Sequence, residues 1–198
     1  MPLHYFQKTT ISNEEINALP LGAFRGEITV VDQAYDLPRV FSEISRSPVV
    51  GFDTETKPVF VRGHQNKVAL MQVALPEKVF LVRLNKTGIQ PEVIQFLEDG
   101  NIMKAGVALR DDIKAIQRLK KFTPDGIVEL ANLAKDAGLQ EEGVKKLTGL
   151  LLEFRVSKTA QTSNWEAPEL NEKQISYAAT DAWVCLEIYK KLKEALDS

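Results

Sequence analysis

Hydrophobic and polar positions change rhythm along this chain. The first half is dominated by short β-branched runs. "EITVVD" (27–32) reads as a strand and "LPRVFSEISRS" (37–47) as an amphipathic helix. Three further strand-like runs follow at 49–55, 67–75 and 78–84. Their short polar connections predict an antiparallel meander. After Pro91 a helix is expected, closed by Gly100, then a strand over 101–109 and a helix over 111–122 opened by acidic residues. "GIVELANLAKDAGL" reads as a short strand running into a helix. From Glu142 onward the pattern is helical: one helix over 143–154, a turn over 163–170, and a long helix over 171–198. Near the N-terminus, Ser12 and Glu15 form a capping box. A meander, then β-α-β crossovers, then helices predicts an α/β protein with a mixed central sheet and flanking helices.

Length and composition narrow this further. The 198 residues, 44% hydrophobic and 26% charged, suit one domain, with 1–27 as an N-terminal extension and 28–195 as the core. A formal net charge of -2 argues against a non-specific nucleic-acid coat protein but leaves room for a local basic groove. One cysteine, Cys185, allows neither an internal disulfide nor a cysteine-built zinc site, and there are only two histidines, His4 and His64. Any metal must therefore be held mainly by oxygen, which points to magnesium or manganese. The N-terminus lacks a signal-peptide pattern and no apolar run reaches membrane-spanning length, so a cytoplasmic protein without a membrane partner is expected.

The chemistry lies in four acids. Asp53 and Glu55 stand two apart at the end of a largely buried strand, so both point to one face. Asp112 opens a helix directly after a strand; alone, it would be read as a helix cap. Asp181 lies in "YAATDA" among small and apolar neighbours, with Tyr177 one turn earlier on the same helix face. An unpaired carboxylate buried there would cost several kcal/mol, so it needs a cation. Lys57, Lys114 and Lys120 are too scattered to serve all four acids. Two divalent ions, Mg2+ or Mn2+, would bring +4 against -4 and prefer such hard oxygen ligands.

Together, "GFDTET", "KAGVALRDD" and "QISYAATDA" resemble the three motifs of the DEDDy 3′–5′ exonucleases, in the branch of ribonuclease D and the Werner-syndrome exonuclease domain. The resemblance spans roughly residues 28 to 195, and "SNW" (163–165) strengthens it. Members of the family often carry Asp where this chain has Glu129, a position read here as structural. The resemblance implies a ribonuclease-H-like exonuclease fold and hydrolysis of a nucleic acid, DNA or RNA, from a free 3′ end, releasing nucleoside 5′-monophosphates. It further implies that Asp53 bridges two metals, that Glu55 and Asp181 complete the one that activates water, and that Asp112 acts in the outer shell of the other. Tyr177 would aim the water. Thr54 and Thr56 flank the acids and are candidates to meet the terminal nucleotide. Lys57, Arg62, His64 and Lys67 form a basic segment suited to phosphates, or simply a solvated loop. Phe60 and Trp165 are candidates to stack on bases, although Trp165 reads better as packing under the last helix. Lys145 and Lys146 fit a path along the substrate strand, or a solvated helix face.

Two rival readings fit parts of the sequence. A haloacid-dehalogenase-like phosphatase would match "DTET" to D-x-D-x-T, but it needs a second Asp where Glu55 stands and leaves "YAATDA" without a role. A non-catalytic nucleic-acid-binding module of the same fold would be betrayed by a missing acid, and all four acids and the tyrosine are present.

Overall fold

The computed structural model describes residues 6–58 and 66–198. Six strands form one mixed sheet: β1 (Glu27–Val31), β2 (Val49–Thr56), β3 (Val68–Ala74), β4 (Lys78–Val82), β5 (Met103–Gly106) and β6 (Ile127–Glu129). Their spatial order is β1-β4-β3-β2-β5-β6. The expected meander is present, with β2 antiparallel to β3 and β3 antiparallel to β4. Parallel pairing of β1 with β4, β5 with β2 and β6 with β5 then extends the sheet on both sides. Every residue of β3 is buried, as befits a strand covered on both faces.

Among the described residues, eight α-helices flank the sheet: α1 (Asn13–Ala18), α2 (Leu37–Ile44), α3 (Leu84–Thr87), α4 (Pro91–Glu98), α5 (Leu109–Gln117), α6 (Leu130–Asp136), α7 (Val144–Leu152) and α8 (Glu172–Leu196). On one face, α2, α4 and α5 bury Val40, Ile44, Phe96 and Ile113 against Phe52, Met71, Val73 and Phe80. On the other, α8 lays Ala178, Ala179 and Ala182 over Leu70, Ala74, Val79 and Leu81. These small residues let the helix come close to the sheet. Alternation along the strands separates the two faces, with Phe52 facing α5 and its neighbours Gly51 and Asp53 facing α8. A reciprocal box, Asn171 with Gln174, caps α8 at its start, and the expected box of Ser12 with Glu15 caps α1.

Two expectations need correction. Helix α4 ends at Glu98, before Gly100, and Gly100 is not among the glycines with positive φ. Its terminal carbonyls are taken by the buried ammonium of Lys104, which donates to Phe96 O (3.1 Å) and Asp99 O (2.7 Å). The strand expected over 101–109 is only β5. At Ala108 the chain turns through the left-handed region (φ 59°), and α5 starts at Leu109, two residues earlier than the acidic pattern suggested. In both cases a side chain from outside the helix meets its end, Lys104 at α4 and Glu129 at α5. The N-terminal segment is docked on the body: Gln140 N–H donates to Thr9 O (3.0 Å), and Ile11 N–H donates to the Glu141 carboxylate (3.1 Å). No helix among the described residues is long and apolar enough to cross a membrane.

Candidate active site

The site begins with a glycine. Gly51 stands in β2 between Val50 and Phe52, and a Cβ there would overlap the carbonyl oxygen of Ala182 in α8. A glycine inside a strand marks a close backbone approach. The crossing brings Asp181, next to Ala182, over the strand face that carries Asp53 and Glu55. One carboxylate oxygen from each of these three residues lies within 4.8 Å of the others. Tyr177 stands one turn before Asp181 in α8, and its ring packs 6.0 Å from that of Trp165.

Three acids this close, and this shielded from water, resist ionisation. Burial, and then the charges of Asp181 and Asp112, hold Asp53 well above the usual carboxylate range. Burial and the neighbouring acids, Asp53 first, push Glu55 up to about 9. Asp181 rises only to about 6, because the Tyr177 hydroxyl and the charge of Lys158 oppose the effect of burial. Burial and Asp181 together keep Tyr177 a neutral phenol far above neutral pH. Among the described residues, no ion pair involves Asp53, Glu55, Asp112 or Asp181. A cluster of hard oxygen donors that forms no ion pair among the described residues fits a divalent ion such as Mg2+ or Mn2+.

Asp112 is placed differently. The sequence suggests four acids around one site, and the structure brings three of them together. Thr54 lies between Asp53 and Glu55 and therefore points to the α5 side of β2, where its hydroxyl donates to Asp112 Oδ1. Asp112 still acts through space, since its charge raises both Asp53 and Glu55, and burial pushes its own carboxyl up to about 6. Glu129 sets this arrangement at a distance. Its two carboxylate oxygens accept the Ala108 and Leu109 N–H groups at 3.0 Å each, pinning the left-handed turn that starts α5. Sequence reading placed Glu129 as structural and missed that it caps α5. No spacing rule links the end of one strand to a turn twenty residues earlier.

The substrate candidates divide. The Thr54 hydroxyl is committed to Asp112, so it is not free to meet a nucleotide. Thr56, the last residue of β2, is exposed. Lys57 lies 3.6 Å from Glu166. Arg62, His64 and Phe60 lie outside the described residues. Trp165 is fully buried beneath Tyr177, which rules out base stacking. Lys145 and Lys146 are turned to Asn13 (3.0 Å) and Glu141 (2.8 Å). Lys158, which sequence reading did not single out, is a cation felt by Asp181.

Comparison with known proteins agrees with this geometry. Residues 28–197 match the model of the 3′–5′ exonuclease family. The bifunctional 3′–5′ exonuclease/ATP-dependent helicase WRN of Mus musculus is 32% identical over 185 residues, covering 88% of this chain and 13% of that protein. This chain thus spans a small part of that relative's length. Among solved structures, the EXO domain of Aedes aegypti Nibbler superposes with a TM-score of 0.78 at 24% identity, covering 89% of this chain and 93% of that one. Trypanosoma brucei RNase D in complex with RNA U12 superposes with a TM-score of 0.76 at 18% identity, covering 93% and 66%. The shared architecture is the ribonuclease-H-like exonuclease fold that the resemblance implies. With its motifs, its fold and nearly its whole length matched, the chain belongs to the 3′–5′ exonuclease domain family, nuclease enzymes of the DEDD type.

Proposed function

We propose that this domain hydrolyses the terminal phosphodiester of a nucleic acid at a free 3′ end, releasing a nucleoside 5′-monophosphate with the help of two Mg2+ or Mn2+ ions. The observation that carries the reading is the three-carboxylate cluster of Asp53, Glu55 and Asp181, assembled by two elements far apart in sequence and, among the described residues, joined to no ion pair. Asp53, Glu55 and Asp181 would hold the metal, and Asp112 would complete the outer shell from the Thr54 side. When bound, the ions supply charge neutralisation at the phosphate and lower the pKa of an attacking water.

The protein's own groups do the rest. Tyr177 stays a neutral phenol; its hydroxyl can accept a water proton in a hydrogen bond and fix that water's direction without ionising. Trp165 behind the ring limits its motion. A cation displaces protons from carboxylates whose pKa values are raised in this way, so the same residues that bind metal define the pH range of binding.

RNA appears in the solved complex of the trypanosome relative, which supports a nucleic-acid partner here. The deciding assay incubates the purified protein with 3′-recessed duplex, single-stranded DNA and single-stranded RNA, each 5′-labelled, with and without Mn2+. A ladder shortening from the 3′ end, dependent on metal and absent in Asp53→Asn, is expected. Binding without shortening under every condition would instead favour the non-catalytic module.

A further inference from the structure

Among the buried side chains with unpartnered polar atoms, Gln72 is the one with two of them. Gln72, in the middle of β3, is fully buried, and neither its Nε2 nor its Oε1 has a hydrogen-bond partner. A primary amide offers two donors and two acceptor sites, and leaving them unpaired in a low-dielectric interior costs stability. Its neighbours on the same face, Leu70 and Ala74, are apolar and pack under α8. A residue there with no task beyond packing would be Leu or Met.

The register supplies the task. Gln72 stands directly opposite Asp53 in the antiparallel β2–β3 pair. Residues so paired have Cβ atoms about 4.5–5.5 Å apart on one face, so the glutamine side chain shares its space with the Asp53 carboxylate. Asp53 Oδ1 already accepts the Thr54 N–H at 2.9 Å. The other oxygen has no protein donor among the described hydrogen bonds.

We propose that Gln72 is a positioning residue for Asp53: its amide N–H groups face the carboxylate and hold it in the orientation that binds metal. The contact is made by rotation about the soft terminal torsion of the glutamine, or across one bound water. Partners that orient metal-binding side chains in this way typically change metal affinity about 10–100-fold when removed. The proposal deepens the metal-centre reading above and rests on it.

The test measures Mn2+ binding by isothermal titration calorimetry, with the metal-free melting temperature recorded beside it. Gln72→Met keeps the volume and removes the amide. Mn2+ affinity is expected to fall about 10–100-fold, with a metal-free melting temperature unchanged or higher, since an unpaired polar group has been removed from the core. Added to Asp53→Asn, the same substitution should cause no further loss, because the glutamine acts through Asp53. If Asp53→Asn weakens binding and Gln72→Met does not, the positioning role is overturned and the metal centre stands. If Asp53→Asn leaves binding intact, the metal-centre reading itself fails, and this proposal with it. A measurement on the wild-type protein needs no variant to fold: the Gln72 side-chain amide signals in NMR should shift on adding Mg2+, and their indifference to the metal would equally overturn the proposal.

Discussion

Tyr177 and Asp181 sit one helical turn apart in α8, yet their substitutions should have different consequences. Tyr177→Phe keeps the ring against Trp165 and leaves the three clustered carboxylates in place. Metal-induced stabilisation should therefore survive while turnover falls about 10²–10⁴-fold, the range for a lost positioning or proton-transfer group. Asp181→Asn removes one of the clustered oxygens and should lose both. Calorimetric Mn2+ titration alongside a single-strand degradation assay separates the two; wild-type turnover in Tyr177→Phe would make the tyrosine a packing residue. The acids also predict a pH dependence. Asp181 and Asp112 are raised to about 6 and Glu55 to about 9, from ordinary values of 3.8 and 4.5. The metal-free folded protein thus holds protons that the unfolded chain has already released. The stability these groups contribute is fully present below the unfolded values and is lost as pH rises through the folded ones. Thermal melts of metal-free protein should show a falling melting temperature between about pH 5 and about pH 9, and Mg2+ should flatten or reverse the trend by taking the place of those protons.

At the scale of elements, the close crossing of α8 over β2 decides whether there is a site at all. Gly51→Ala places a methyl group into the Ala182 carbonyl, a backbone atom that cannot turn aside. The helix must lift, and overpacking of this kind costs about 1–3 kcal/mol. Because the same lift moves Asp181 away from Asp53 and Glu55, Mn2+ affinity should drop as well, although no ligand has been touched. A folded Gly51→Ala protein with wild-type affinity would show that the crossing does not govern the site. What could be read from sequence follows the same division. Strands, long helices and the residues at i, i+2 and i, i+4 were legible, because period and capping are local: β2 with Asp53 and Glu55, α8 with Tyr177 and Asp181. The starts and ends set from a distance were not. Glu129 reaching back to Ala108, and Lys104 reaching the end of α4, moved the boundaries of α5 and α4. Strand alternation turns Thr54 toward Asp112, a contact visible in the sequence only once α5 is known to pack on that face.

Over the whole molecule, metal and fold should be linked. Ions that bind only the folded chain stabilise it by mass action, about 2.7 kcal/mol at a concentration one hundred times the dissociation constant. Adding Mg2+ or Mn2+ should raise the melting temperature of the wild type, and Asp53→Asn should largely abolish the rise; an unchanged shift in the variant would place the ion elsewhere. The close packing of Gly51 on Ala182 has a further consequence, and it concerns time. The strand carrying Asp53 and Glu55 lies early in the chain, and the helix that brings Asp181 and Tyr177 is the last element of the domain. During synthesis from the N-terminus, the first two acids emerge when the segment that completes the cluster has yet to be translated. A nascent chain would therefore hold half a metal site, and the capacity to cut would arrive abruptly, in the interval when the final helix docks.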